Sequence, residues 1–264
     1  MTTTRQQRKG EAFRRLHKHG TFVIPNAWDA GSARVLERLG FDAIASTSSG
    51  FAFALGRPDG SVTLDEVADH ARTLDEATGL PVAMDLEDGY GPTPQHAATA
   101  VRRAAEAGAV GGSIEDYDPA AGLHPRARAA EKIAAAAEAI RDLGTPFLLT
   151  ARAENHLRGN PDLADTIARL QAYEAAGADV VYAPGLRTLA EIRAVCDAVS
   201  VPVNVLAPPG LTLADLAEAG VRRVSVGGRL ALAAYAAMAE AATRIRDEGS
   251  FESLAVSGSF TDWF

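Results

Sequence analysis

The chain is poor in cysteine, in aromatic residues and in positive charge. A single cysteine in 264 residues, Cys196, excludes an intrachain disulfide and a cysteine-rich metal site. It follows the apolar rhythm of Ile192-Arg193-Ala194-Val195-Cys196, the setting of a buried structural thiol. Lysine and arginine number 26 against 34 acids, a formal charge of −8. That balance argues against nucleic acid as a partner, because phosphate binding needs a basic face. No apolar run is long enough to span a bilayer, and the longest, residues 230–239, stops at Glu240. The basic start (Arg5, Arg8, Lys9, Arg14, Arg15, Lys18) leads into no apolar stretch, so it reads as a solvated helix rather than a secretory signal. These absences predict a soluble, cytoplasmic protein with no membrane partner. Also missing is a Gly-x-Gly-x-x-Gly turn after the first strand, which counts against an open dinucleotide-binding sheet.

What is present is repetition. Alanine-rich amphipathic stretches end at glycine and a short β-branched run follows, as at Gly40, Gly108, Gly177 and Gly220. A variant places Pro81, Pro146 or Pro202 at the strand entrance, where a missing N–H is tolerated. The junctions predict strands at residues 22–24, 43–45, 82–84, 112–114, 147–151, 180–182, 203–205 and 224–226, each followed by a helix. Alternation of this kind is the pattern of a single α/β domain over 1–264, a (β/α)8 TIM-type barrel. Residues 1–20 are expected as an N-terminal helix, and 229–264 as the last helix and a tail.

Barrel geometry puts active sites at the C-terminal ends of strands. Met84-Asp85-Leu86-Glu87-Asp88-Gly89 carries acid into a glycine turn there, and strand alternation is expected to send Asp85 and Glu87 to one side. Like charges that close call for a cation or a proton between them. The next strand runs into Glu115-Asp116 and the one after into Arg152. Asp85, Glu87 and Glu115 are therefore the candidate metal ligands, for Mg2+ or alternatively Mn2+, since magnesium needs few carboxylates. For Asp88, Asp116 and Asp118 a structural role is the expectation. Arg152 is placed to grip a substrate carboxylate or a developing oxyanion, or to pair with Glu154 or Glu115. Thr47, Ser48 and Ser49 offer hydroxyls and backbone N–H groups to an anion, and Asn204 ends another strand. Asp59, His156, Tyr182 and His124 are candidate acids or bases.

These stretches resemble the isocitrate lyase and phosphoenolpyruvate mutase family. The likeness is carried by Pro25-Asn26-Ala27-Trp28-Asp29-Ala30-Gly31-Ser32-Ala33, Gly56-Arg57-Pro58-Asp59-Gly60, Asp85-Leu86-Glu87-Asp88-Gly89-Tyr90-Gly91, Ser113-Ile114-Glu115-Asp116 and Ala151-Arg152-Ala153-Glu154. The resemblance implies a Mg2+-dependent enzyme that makes or breaks a C–C or P–C bond beside a 2-oxo acid, through a pyruvate-like enolate chelated to the metal. Asp85, Glu87 and Glu115 fall on the family's metal positions, although aspartate is commoner where Glu87 stands. Thr47 falls on a substrate-binding serine, Arg152 on the arginine that grips the oxyacid, and Asp59 on an aspartate near the mobile loop. Family members commonly form tetramers by exchanging the last helix, so a homo-oligomer, tetramer or dimer, is expected.

The departures narrow the reaction. Isocitrate and methylisocitrate lyases carry lysine and cysteine in the loop after the fourth strand. Here that loop, residues 116–124, has neither, which argues against a true isocitrate or methylisocitrate lyase. The mutase and hydrolase branch has lysine directly after the Glu-Asp pair, where this chain has Tyr117. The leading expectation is a lyase or decarboxylase cleaving a C–C bond of a small 2-oxo or 2-hydroxy dicarboxylate. The alternative is a phosphonopyruvate- or carboxyphosphonate-type mutase or hydrolase, and the weakest reading is an oxyacid-binding barrel without catalysis.

Overall fold

Strands and helices alternate along the computed structural model, which describes residues 4–255 and 261–263. Strands β1 (Phe22–Ile24), β2 (Asn26–Ala27), β3 (Ile44–Ser46), β4 (Val82–Asp85) and β5 (Gly111–Glu115) come first. A small antiparallel hairpin of β6 (Tyr117–Asp118) and β7 (Gly122–Leu123) follows. The remaining strands are β8 (Leu148–Arg152), β9 (Val180–Tyr182), β10 (Val203–Leu206) and β11 (Arg223–Ser225).

The main sheet is nine-stranded, in the order β1-β11-β10-β9-β8-β5-β4-β3-β2. Its two ends, β1 and β2, are consecutive pieces of one extended segment interrupted at Pro25, which has no N–H for a ladder. The lower piece pairs with the last strand (Phe22↔Arg223, Ile24↔Ser225) and the upper piece with β3 (Asn26↔Ala45, Ala27↔Ser46). Nine strands of which two share a position leave eight, and the ring closes as the expected parallel (β/α)8 barrel.

Local chemistry fixes the element ends. Gly108 and Gly177 leave their helices at φ +106° and +103°, a region that side chains with a Cβ resist. Asp29, Thr63, Thr188 and Thr212 each cap a helix by accepting a backbone N–H three residues on, worth about 1 kcal/mol apiece.

The N-terminal helix is shorter than expected. It runs over Arg5–Leu16 and begins in a capping box between Thr4 and Gln7. Its Phe13 is fully buried with Ile24, Ala43, Ala83, Val110 and Leu148, so the helix plugs the lower end of the barrel. The plug needs Gly111, where a Cβ would lie 2.7 Å from the Phe13 ring. At the other terminus, the helix Arg229–Glu248 stands out from the barrel. Ala231 is its buried residue, whereas Leu232 and Met238 are exposed. Phe251 and Leu254 of the tail are exposed as well; Phe260 and Phe264 lie outside the described residues. Among the described residues, no helix is long and apolar enough to cross a membrane.

Candidate active site

Register brings the strand ends together. Asp85 pairs with Ser113, Glu115 with Arg152, and Arg152 with Tyr182. Two cavities meet at this end of the barrel and share Arg152. A narrow one of about 70 Å³ runs down the barrel axis between Thr47, Asp85, Tyr182, Asn204 and Arg223. A wider one of about 240 Å³ is lined by Ser48, Asp59, Glu87, Glu115, Tyr117 and Arg158.

The acids are assembled differently from strict alternation. β4 stops at Asp85, and Glu87 turns into the left-handed region at φ +46°, followed by Tyr90 at +60°. Non-glycine residues seldom adopt that conformation, and such strained positions cluster at active sites and ligand clamps. The turn, not the pleat, therefore aims Glu87. Its Oε1 is buried without a hydrogen-bond partner. Burial, then the charges of Asp85, Asp59 and Asp88, push its carboxyl up to about 8. Burial also pushes Glu115 well above the usual range, against the pull of Arg152.

Asp85 Oδ2 accepts the Ser48 N–H at 3.2 Å, and Oδ1 accepts the Glu87 N–H at 3.4 Å. Among the described residues, no three His, Cys, Asp or Glu side chains are grouped tightly enough to enclose a metal. The donor set fits a sparser kind of site, because magnesium takes one or two protein carboxylates and retains water. The orphaned oxygen of Glu87, among crowded acids, is what a cation would relieve.

Arg152 faces those acids. Its Nη1 is 3.1 Å from Glu115 Oε2 and 3.9 Å from Asp85 Oδ2, and its guanidinium lies over the Tyr182 ring. Its Nε is bonded to Glu154, which is fully buried and also accepts from Arg158 Nε at 3.0 Å. Glu154 is held in turn by its own N–H, which donates to Asp116 Oδ1 at 2.8 Å. The other Asp116 oxygen takes Arg169 and Tyr173 at 2.9 and 2.5 Å. Asp116 therefore works as an anchor for the loop behind the arginine.

The remaining candidates separate by position. Thr47 is buried and caps the helix Ser48–Ala54, with its hydroxyl 3.1 Å from that of Ser49. Asp59 is exposed on the rim of the wider cavity. Tyr182 is buried in the narrow cavity, and burial raises its hydroxyl pKa although Arg152 opposes this. Asn204 is deeper, bonded to Ser225 and to Arg223 of the barrel floor. His156 is not brought into either cavity; it packs against Gly185, with its Nε2 buried and unpartnered. His124 sits behind the acids, 3.7 Å from Asp88, whose main partner is buried Lys132 at 2.8 Å.

Arg158, Arg223 and Lys132 were not visible as site residues in the sequence. Lys132 left a signal, the single lysine of an alanine-rich helix and a buried position on it. Arg158 left another, four residues after Glu154 and so able to share its carboxylate.

Residues 13–246 match the family model described as phosphoenolpyruvate phosphomutase. A solved structure from Burkholderia cenocepacia, carrying a provisional lyase/mutase name, is 51% identical with a TM-score of 0.94, covering 98% of this chain and 95% of that one. The 2-methylisocitrate lyase of Halalkalibacterium halodurans is 31% identical, covering 91% of this chain and 78% of its own length. An oxaloacetate decarboxylase from Rhodopseudomonas palustris is 33% identical, covering 84% and 77%.

Proposed function

This chain belongs to the isocitrate lyase/phosphoenolpyruvate mutase family, and from that premise we propose that it is a divalent-metal-dependent lyase or decarboxylase acting on a small 2-oxo or 2-hydroxy dicarboxylate. The observation that carries this reading is Arg152, set by Glu154 against Glu115 and Asp85, beside a Glu87 oxygen that has no partner. Asp85 would hold Mg2+ or Mn2+, with Glu87 and Glu115 directly or through water. When bound, the ion supplies positive charge where a 2-oxo group gathers negative charge as the neighbouring bond breaks.

The protein's own groups then have distinct tasks. Arg152 binds and orients the substrate carboxylate by its planar donors. The Ser48 N–H fixes Asp85, and Thr47 offers its hydroxyl on the wall of the narrow cavity. Tyr182 holds its phenolic proton beneath Arg152.

The loop 116–124 supplies neither thiol nor amine to protonate a departing carbanion. Loss of carbon dioxide needs no such donor on the leaving group, which favours decarboxylation within the proposed class. The name of the Rhodopseudomonas relative points the same way.

A second reading is P–C bond chemistry, favoured by Asp59 on the cavity rim and opposed by Tyr117 at the position of the branch's lysine. Purified protein with Mg2+ should be assayed against oxaloacetate, 2-methylmalate-type acids and phosphonopyruvate. Turnover of a carbon acid supports the proposal. Turnover of phosphonopyruvate alone would replace it with the second reading.

A further inference from the structure

We propose that Arg158 is a specificity-determining residue that receives the distal carboxylate of the substrate. The inference deepens the proposed function and rests on it, because it assumes that a 2-oxo or 2-hydroxy acid binds at Asp85 and Arg152.

Three observations converge on Arg158. Its guanidinium lies over the Tyr117 ring, 3.7 Å from the centroid, a favourable seat for a cation. The loop 116–124 has no lysine or arginine of its own, so the cation seated on Tyr117 is delivered from the loop after β8. Second, Arg158 is tethered by one edge. Its Nε donates to Glu154 Oε2 at 3.0 Å, and Nη2 is 3.8 Å from Glu115 Oε1, too far for a hydrogen bond. Among the described residues neither Nη nitrogen makes a hydrogen bond, which leaves the end of the fork for a ligand. Third, Arg158 lines the wider cavity together with Arg152, Glu87 and Glu115, and its side chain is about one-third exposed.

The position selects the ligand. Glu154 binds one arginine with each carboxylate oxygen, so Arg152 and Arg158 flank the same acid. An anionic group on the free edge of Arg158 would be a few bonds from one held by Arg152 beside Glu115. That separation suits a short dicarboxylate and leaves the subsite unfilled by a monocarboxylate. A guanidinium holds its protons at neutral pH, so Arg158 recognises charge and does not replace the missing loop acid as a proton donor.

The test compares stable ligands by calorimetry on the full-length protein with Mg2+: oxalate, malate and 2-hydroxybutyrate. Malate and 2-hydroxybutyrate share the 2-hydroxy acid and differ in the distal carboxylate, whereas oxalate has no distal group. Wild type should prefer malate over 2-hydroxybutyrate by about tenfold or more, the usual weight of a charge-assisted contact. Arg158→Met should collapse that preference while oxalate still binds, and Arg158→Lys should keep part of it. Adding Tyr117→Lys to Arg158→Met should bring the preference back, which a merely structural arginine would not allow. An undiminished preference in Arg158→Met overturns the proposal, and so does loss of oxalate binding in that variant, because Arg158 would then act by propping Arg152. Failure of wild type itself to bind oxalate with Mg2+ would instead remove the functional reading beneath it.

Discussion

Arg152 Nη1 rests 3.1 Å from Glu115 Oε2, and the two residues are direct partners across β5 and β8. A guanidinium and an acid proposed to serve a metal thus share one contact, so the arginine already faces the point where a bound oxyacid would meet the ion.

That arrangement predicts a metal requirement centred on Asp85. Saturating Mg2+ or Mn2+ should raise the melting temperature, since an ion at 100 times its Kd stabilises by about 2.7 kcal/mol, and chelation should return it to the starting value. Asp85→Ala should abolish both the thermal shift and turnover. A full shift retained in Asp85→Ala, measured by differential scanning fluorimetry, would place the ion elsewhere.

Glu154 is the buried hinge of the arginine pair. Glu154→Gln keeps the volume and one acceptor but removes the charge facing two guanidiniums. Breaking a buried pair in this way costs about 3 kcal/mol, and a small misplacement of the gripping arginine lowers turnover about 100-fold. Denaturant melts and steady-state kinetics should show both losses. Normal kcat in a destabilised Glu154→Gln protein would mean that Arg152 is positioned by Glu115 alone.

Much of the barrel was legible because its grammar is local. Glycine after an alanine-rich helix and proline before a strand each dictate backbone conformation at a single residue, and the predicted strands fall within a residue or two of those observed. Pro25, which splits the first strand, was a punctuation mark left unread. The site was legible as a set of strand ends, since topology alone gathers Asp85, Glu115, Arg152 and Tyr182. Glu87 was named, yet its placement depends on a left-handed turn that alternation does not describe. Arg158 escaped because its role comes from stacking on Tyr117, a contact between segments about 40 residues apart that no spacing rule connects.

The last helix is expected to bury itself in a homo-oligomer. Arg229–Glu248 runs for 20 residues with Ala231 as its buried position, and Leu232 and Met238 are 52% and 63% exposed. An apolar face of this kind is ordinarily covered by a partner, and a second copy of the chain is the partner expected here. Light scattering should give a dimer or tetramer for wild type, and Leu232→Glu with Met238→Glu should shift the mass downward. A monomer at micromolar concentration in the wild type would contradict this.

Acid should weaken the fold through two buried histidines. His17 is edge-on to Phe13 and Phe22, with Arg223 Nη1 3.4 Å from its Nε2. Burial first, and the Arg223 charge second, lower its pKa from 6.5 to about 3. His70 is stacked on Phe51 with its Nε2 unpartnered, and burial lowers it to about 4. The unfolded chain takes up these protons near pH 6.5 while the folded chain refuses them. Their contribution is therefore complete above pH 6.5 and is lost as pH falls toward the folded values. At pH 5 each histidine should have removed about 2 kcal/mol. Glu87, with a folded value near 8, and Glu115, also raised by burial, act with the opposite sign, because each lets the folded state gain stability as pH drops toward 4.5. Comparison with His70→Phe, which keeps the stack on Phe51, cancels the effect of both carboxyls. In metal-free buffer the variant should lose about 2 kcal/mol less than wild type between pH 7 and pH 5. Equal losses in the two proteins, read from urea melts at both pH values, would show that His70 does not titrate against folding.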